Sequence, residues 1–447
     1  MKRRDFVKQG TIIGAGVSLL QSNLSLNSNI NVGIIGVGAR GLGHLDLLLR
    51  RTDVNVTAIC DINEFTLKSA ASLVSKLNKT QPKVYKGSES AYKDLINDKN
   101  VDALVIATPW HWHVPMAVDA MHSKKAVGLE VSGSTSVEEC WQLVRAYEST
   151  KTPIMFLENV CYRRDILAIL NMVRKDVFGE LVHLQGGYEH DLREVKFNNG
   201  SQWYGGGVEY GDKGMSEAKW RTHHSISRNG DLYPTHGVGP IMTMIDINRG
   251  NRFTHLTSMS SKSIGLHNHI VNHPKGGKDH PNAKLKFELG DIVTTMIRTV
   301  NDETVLLTHD TNLPRPYSLG FRVQGAKGIW MDVNDSIYIE GKSESHKWSP
   351  AKPMREEYDH PLWKKHEQKA IGAGHGGMDY FVINAFIECV KNDEPMPLDV
   401  YDAATMKVIT SLSEESIAKG SQPVVFPDFT NGRWITRKPI FGLDDRY

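Results

Sequence analysis

The chain is 447 residues long, 40% hydrophobic and 23% charged, with a formal net charge of +2. That length accommodates two domains with sizeable cores. The near balance of charge excludes a protein built to hold nucleic acid or an anionic membrane surface. The four cysteines, Cys60, Cys140, Cys161 and Cys389, are scattered, with neither metal-ligand spacing nor a disulfide framework.

The first segment, Met1-Lys2-Arg3-Arg4-Asp5-Phe6-Val7-Lys8, carries paired arginines followed by Phe and Lys. Gly10–Leu20 is mildly apolar, too short to span a membrane and suited to a signal h-region. R-R-x-F-x-K resembles a twin-arginine export signal. On this reading residues 1–27 are an export signal and the twin-arginine machinery is a partner. The destination is the bacterial periplasm, without a membrane span. Leu20–Ser28 has no clear cleavage box, so the mature start stays open.

The apolar run Val32–Ile35 ends in Gly36, Gly38 and Gly41, and a helix-like L-x-x-L-D-L-L-L-R follows. In G-x-G-x-x-G the first glycine permits the turn out of a strand. The second lets a pyrophosphate approach the backbone, and the third lets helix and strand pack closely. The helix N-terminus offers free N–H groups to the phosphates. The next strand-like run, Val54–Cys60, ends at Asp61, about 20 residues past the last glycine, where a carboxylate accepts bonds from a ribose diol. An acid there repels a 2′-phosphate, so NAD is favoured over NADP.

Strand and helix patterns alternate onward to Leu157: helix-like Glu64–Leu77 and Tyr92–Asn97, strand-like Val101–Ala107, helix-like Pro115–His122, and strand-like Lys125–Leu129 ending at Glu130. Ser136 and Glu139 stand at capping-box spacing ahead of a helix through Tyr147, and strand-like Pro153–Leu157 ends at Glu158-Asn159. This is the alternation of a doubly wound parallel sheet, read as a Rossmann NAD-binding domain over residues 28–158. Ligands of such sheets sit beyond the carboxyl ends of strands, which nominates Trp110, His111, Trp112 and His113, then Glu130, and then Asn159. His111 and His113 have H-x-H spacing, but no third or fourth ligand accompanies them, so no metal is expected. Instead 108–113 reads as a loop at the strand tip, on the nicotinamide side.

G-I-I-G-V-G-A-R-G, the strand-end Asp61, A-T-P-W-H-W-H and the strand ending in Glu130 resemble the glucose–fructose oxidoreductase family of NAD(P) enzymes. That family carries E-K-P at the Glu130 position, with a lysine assisting proton transfer. Here the residues are Glu130-Val131-Ser132. The missing lysine argues against net sugar dehydrogenation by that machinery. A narrower set resembles glycoside hydrolase family 109 over nearly the whole chain: L-E-N-V-C-Y-R-R-D, V-F-G-E-L-V-H-L-Q-G-G-Y-E-H-D-L-R, L-Y-P-T-H-G-V-G-P, P-R-P-Y-S and G-H-G-G-M-D-Y-F. This resemblance implies an α-N-acetylgalactosaminidase that uses bound NAD without consuming it. Twin-arginine export moves folded proteins, so the cofactor would travel with the enzyme and be held without exchange.

Beyond Asn159 the pattern changes. Asp165–Lys175 is helix-like, and strand-like segments follow near Leu181–Gly187, Thr254–Ser261, Asp291–Val300, Thr304–His309, Gly320–Gln324 and Ile329–Asp332. Two helices return near Met378–Lys391 and Ala403–Lys419, packing near the first domain and the sheet's edge. The expected architecture is α/β plus α+β. An N-terminal Rossmann sheet precedes a C-terminal substrate-binding and catalytic domain, residues 159–447, with a largely antiparallel open sheet and helices. One sheet wall borders a substrate cleft, and the sheet's exposed face is a candidate homo-oligomer surface. The segment His190–Asn229 is expected to be an ordered loop whose aromatics serve as anchors.

NAD-dependent glycosidases depart from the usual pair of carboxylates. In their route hydride leaves the sugar C3, the C2 proton is removed and the aglycone is eliminated from C1. Water then adds and the hydride returns. This needs a base for the C3 hydroxyl, a base for C2 and an acid for the leaving group. His236 is the first candidate, in a turn ahead of a helix Pro240–Asn248 whose N-terminus would keep the imidazole neutral. Tyr317, stiffened between prolines in Pro314-Arg315-Pro316-Tyr317, is the second. His375, among glycines, is placed either facing the site or in a plain turn.

The resemblance makes His236 and Tyr317 a catalytic pair. It carries over Tyr188, Arg221 and the segment Tyr233-Pro234-Thr235-His236, with Tyr317, as sugar contacts. As cofactor contacts it carries over Arg40, Gly41, Asp61, Trp110–His113, Glu130, Val131 and Asn159. Competing readings are a sugar or cyclitol oxidoreductase that releases NADH, a glycosidase of the same mechanism with another sugar or anomer, and a non-catalytic sugar-binding protein that keeps NAD for structure.

Overall fold

The structure, a computed structural model, describes residues 29–447. The export reading of residues 1–27 lies outside the described residues. Six short strands come first: β1 (Ile30–Ile35), β2 (Val54–Cys60), β3 (Lys83–Tyr85), β4 (Ala103–Ile106), β5 (Ala126–Leu129) and β6 (Ile154–Phe156). The helices among them are α1 (Ala39–Arg50), α2 (Glu64–Lys76), α3 (Ala91–Ile96), α4 (Trp110–His122) and α5 (Val137–Thr150). The strands pair in parallel in the order β3-β2-β1-β4-β5-β6, the doubly wound order. A parallel sheet covered on both faces needs continuous apolar strands. Accordingly Val32, Ile34, Leu104, Val105, Val127 and Leu129 are wholly buried.

The glycine turn is dictated by sterics. Gly36 has φ +84°, and a Cβ on Gly41 would stand 1.9 Å from the Gly36 carbonyl oxygen, so α1 can lie this close to β1 only with glycine at 41.

The chain then continues with α6 (Arg164–Arg174), β7 (Leu181–Glu189), α7 (Arg193–Lys196), α8 (Arg221–Ser227), α9 (Thr235–Met244), β8 (Phe253–Ser260), α10 (Gly265–Asn272), β9 (Ile292–Thr299) and β10 (Thr304–Asp310). It closes with β11 (Arg322–Gly325), β12 (Gly328–Met331), β13 (Ser336–Ile339), β14 (Ser349–Pro350), α11 (Lys352–Glu357), α12 (Pro361–Ala370), α13 (Met378–Asn392), α14 (Val400–Ala418) and β15 (Val424–Val425). The second sheet has nine strands in the order β14-β13-β12-β11-β7-β10-β9-β8-β15. All its pairings are antiparallel except β7 with β10, so the sheet is mixed rather than purely antiparallel. Along β9 the residues alternate: Val293, Thr295, Ile297 and Thr299 face in, while Thr294, Met296 and Arg298 face out.

Two helix boundaries correct the sequence reading. Helix α4 starts at Trp110, so Trp110–His113 is its first turn and not a loop. Pro115 lies inside the helix, just past that first turn, and marks no helix start. Helix α9 starts at Thr235 rather than Pro240 and ends at Met244, which puts His236 inside the helix. The 190–229 segment holds the short helices α7 and α8 and further single turns. Among the described residues, no helix is long and apolar enough to cross a membrane.

Two contacts place the second half against the first, and a third, within the second half, sets the start of α9. Helix α13 packs on α1. Helix α14, capped by Asp399 and Asp402 in a capping box, packs on α5 and β8. A Cβ on Gly237 would fall 2.5 Å from the Gly187 nitrogen, so α9 seats directly on β7 and brings its first turn to the end of that strand.

Gly41→Ala forces a methyl into a backbone carbonyl that has no room to yield. The expected cost is about 1–3 kcal/mol, read as earlier thermal unfolding together with reduced NAD content in the purified protein.

Candidate active site

A cleft of about 740 Å³ runs from the carboxyl edge of the parallel sheet to the start of α9. Its first half is lined by Gly36, Gly38, Arg40, Asp61, Glu130, Val131 and Asn159, and by the α4 turn Trp110–His113. Its second half is lined by Tyr188, Arg221, Tyr233 and His236. Four predicted residues are not on its wall. Gly41 is buried beneath the glycine turn. Pro234 is buried as the N-cap of α9. Thr235 is wholly buried, and its hydroxyl has no partner. Tyr317 stands outside the lining, 51% exposed, with its ring 4.9 Å from that of His190.

The first half fits a dinucleotide. A Cβ built on Gly38 meets nothing within 4 Å, so the backbone there is open to a ligand. The N–H groups that begin α1 point into the same space. Asp61 is fixed on the wall: its Oδ2 accepts from Val37 N (2.9 Å) and its Oδ1 from Asn63 N (2.8 Å). Each oxygen keeps a lone pair for a ribose hydroxyl.

Arg40 and Glu130 are partners before they are cofactor contacts. Arg40 Nε donates to Glu130 Oε1 (2.6 Å), and the buried His44 Nε2 lies 2.6 Å from the same oxygen. Burial alone would raise the Glu130 carboxyl, but the Arg40 charge and the His44 bond overcome it and hold the group well below the usual carboxylate range. Arg40 Nη1 also donates to Asp379 Oδ2 (2.7 Å), and Asn159 donates to Asp379 Oδ1 (2.7 Å). His113 is used up as structure. Its Nε2 faces the Thr108 carbonyl (2.8 Å) and its Nδ1 the Ser132 hydroxyl (3.1 Å), which also receives the buried Lys407 Nζ (2.5 Å). Burial, with the Lys407 charge, lowers this imidazole to about 3, so it stays neutral.

The second half is an aromatic cage around one cation. The Arg221 guanidinium carbon lies 5.1 Å from the Trp110 ring centroid, 5.2 Å from Tyr233 and 6.0 Å from Tyr188. Glu217 holds its Nη1. Arg221 is 7% exposed, which decides against the alternative of a surface cation. The rings of Tyr188 and Tyr233 are 4.5 Å apart, and both stand edge-on to His236, at 5.4 and 5.0 Å.

His236 is completed by a residue that the sequence reading passed over. Its Nδ1 lies 2.7 Å from Glu158 Oε1, and that oxygen also accepts from Val160 N (3.0 Å). Glu158 is wholly buried, and its Oε2 has no partner. An ionised carboxylate only accepts, so the proton of a neutral His236 sits on Nδ1 and Nε2 is left as the basic atom. Glu158 ends a parallel strand just as Asn159 does, and the same strand-end rule could have found it. Asp379, His44 and Glu217 had no such signal. Trp203 and Trp220, read as anchors, line the cleft.

Tyr317 reaches the site through a relay of rings: its ring contacts His190, and His190 Nδ1 is 3.2 Å from the Tyr188 hydroxyl. Arg315, between the two prolines, bonds Asp310 (2.6 Å) and Glu189, so the segment is pinned to the ends of β10 and β7.

Two family models cover the chain. Residues 30–157 match the "Oxidoreductase family, NAD-binding Rossmann fold", and residues 162–436 match "Glycosyl hydrolase 109, C-terminal domain". A glycosyl hydrolase family 109 protein of Stenotrophomonas maltophilia is 52% identical over 100% of this chain and 99% of its own. An alpha-N-acetylgalactosaminidase of Tannerella forsythia is 47% identical over 99% of both chains. Among solved structures, a levoglucosan dehydrogenase in complex with NADH superposes with a TM-score of 0.61 at 19% identity, covering 90% of this chain and 100% of that one, a likeness of fold. With a glycine turn and strand-end acid that suit NAD, and a second half matched over most of its length, the chain belongs to glycosyl hydrolase family 109.

Proposed function

We propose that this enzyme removes terminal α-N-acetylgalactosamine from glycans or glycosides by a redox-neutral route with resident NAD. The observation that carries the reading is the Glu158–His236 pair, set beneath the Arg221 cage in the same cleft as the glycine turn. The substrate follows the Tannerella forsythia relative.

The glycine turn, Asp61 and the residues around Arg40 and Asn159 would hold NAD, which would supply a reversible hydride acceptor to the cleft. The protein's own part is to bind, orient and move protons. Tyr188 and Tyr233 offer ring faces and hydroxyls to the sugar, and Arg221, immobilised by Glu217 and three rings, offers fixed donors. His236 Nε2 removes the proton from the sugar, and Glu158 stabilises the imidazolium that forms. Tyr317, half exposed beside His190 just outside the cleft lining, is given the role of proton donor to the leaving group. No lysine follows Glu130. A lysine from α14, Lys407, lies buried beneath that loop on Ser132 and Gly133.

The export reading is part of the proposal. Paired arginines at 3 and 4 direct the folded, cofactor-loaded chain to the periplasm through the twin-arginine machinery. In a bacterial host the full chain is expected in the periplasmic fraction. The double variant Arg3→Lys/Arg4→Lys should stay inside, and a wild-type chain found only inside would refute the export route.

Hydrolysis of a chromogenic α-N-acetylgalactosaminide in deuterated water tests the chemistry. The expected result is aglycone release, deuterium at C2 of the sugar product and no net NADH. Release with neither C2 deuterium nor a C2 kinetic isotope effect would overturn the elimination route, and steady NADH accumulation would turn the reading to a dehydrogenase. His236→Ala is expected to lose about 10²–10⁴ in rate and Tyr317→Phe about 10–10².

Glu158→Gln replaces an acceptor with an amide that donates to Nδ1 and drives the histidine proton to Nε2. A fall in kcat of roughly 10²–10⁴ with unchanged NAD content is expected; full activity in this variant would remove Glu158 from the mechanism.

A further inference from the structure

Asp379 stands in the first turn of α13, yet its bonds go to the cofactor half of the molecule. It is 3% exposed. Its Oδ2 accepts from Arg40 Nη1 (2.7 Å) and lies 2.7 Å from His375 Nδ1, and its Oδ1 accepts from Asn159 (2.7 Å). Arg40 follows the glycine turn and Asn159 follows β6, so one carboxylate joins α13 to two cofactor-side loops. None of these groups belongs to the Tyr188–Arg221–His236 cluster, and the proton transfers proposed above use none of them.

His375 lies in the strap that leads into α13. Four consecutive residues there, Gly374, His375, Gly376 and Gly377, have positive φ (79°, 41°, 67° and 97°). A Cβ on Gly374 would come 2.7 Å from Asp379 Oδ2. The sequence G-H-G-G therefore lets the strap turn sharply enough for the histidine to reach Asp379 with Nδ1. The rest of the imidazole stays open, with 60% of the side chain exposed, and lines the cleft beside Arg40. The Arg40 Nη1–His375 Nδ1 separation is 3.3 Å.

We propose that His375 and Asp379 form a clasp that retains NAD: His375 borders the cleft beside Arg40, and the dinucleotide leaves only after the Asp379 bonds to Arg40 and Asn159 part. The inference rests on NAD being the resident cofactor. The role suits a reaction that returns its hydride in every cycle, because such an enzyme has no need to exchange its cofactor. Asp379 is a positioning residue in this arrangement, while His375 itself lines the cleft.

The test follows NAD itself. Purified holoenzyme is moved into NAD-free buffer containing labelled NAD, and exchange is timed for the wild type, His375→Ala, His375→Asn and Asp379→Asn. The wild type should exchange over hours. His375→Ala should exchange at least tenfold faster, and Asp379→Asn faster still. His375→Asn should recover part of the retention, because its amide donates to Asp379 and asparagine tolerates positive φ. His375 is an exposed strap residue, so His375→Ala tests the clasp even where Asp379→Asn folds poorly. Wild-type exchange rates in both His375→Ala and Asp379→Asn would overturn the clasp while leaving resident NAD intact. A wild type that exchanges as fast as every variant, or carries no NAD, would overturn the resident cofactor and the clasp with it.

Discussion

Three carboxylates, Glu130, Glu158 and Asp379, are buried at the edge of the parallel sheet, and the site depends on how their charges are answered. Taking a carboxylate out of water costs several kcal/mol, and removing one member of a buried pair costs about 3–5 kcal/mol. A charge-assisted hydrogen bond returns about 1.5–3 kcal/mol. Each of these acids must therefore hold several partners at once. Glu130 holds Arg40 and His44, Asp379 holds Arg40, His375 and Asn159, and Glu158 holds His236 and the Val160 amide. Satisfying them draws the glycine turn, two strand ends, the strap and the start of α9 to one place.

The division of labour along the cleft follows from that arrangement. At the glycine turn the arginine lies between two carboxylates, so its charge is largely spent within the protein. A dinucleotide there relies on the open backbone at Gly38 and the amides of α1. Farther along, Arg221 has one carboxylate partner and three ring faces, which fixes its direction without quenching it. The histidine between these regions has one nitrogen committed to a buried acid and one free. An oxidoreductase scaffold thus carries proton-transfer groups suited to elimination as well as to hydride exchange.

Lys407 illustrates how a familiar residue changes place. The glucose–fructose oxidoreductase family that the first half resembles carries E-K-P, with a lysine next to the Glu130 position. Here valine takes that place, and a lysine from α14 enters from below, wholly buried, to hold Ser132 and Gly133. Through Ser132 it also sets the ring of His113, whose other nitrogen fixes the Thr108 carbonyl at the start of α4. The charge supports the loop from beneath and is absent from the wall beside Val131.

The Rossmann half was readable in the sequence because its rules are local. A glycine turn, an acid at the next strand end and apolar runs of four to six residues are each confined to one short segment, and backbone sterics leave them little choice. The second sheet was readable in its strands but not in its one parallel pairing, since register between β7 and β10 is settled by partners more than a hundred residues apart. The start of α9 was misjudged because Pro and Gly look like turn residues, whereas Pro234 serves as a cap and Gly237 is needed for contact with β7. Site residues nominated by motif could be named without geometry, but their partners could not. Glu158 lies 78 residues from His236 and Asp379 lies 339 from Arg40. The sequence by itself determined the cofactor loop and the order of strands and helices, which short-range sterics and hydrophobic periodicity control. Only the tertiary structure decided which buried acid answers which cation, because desolvated charges are paired across the fold and leave no local pattern.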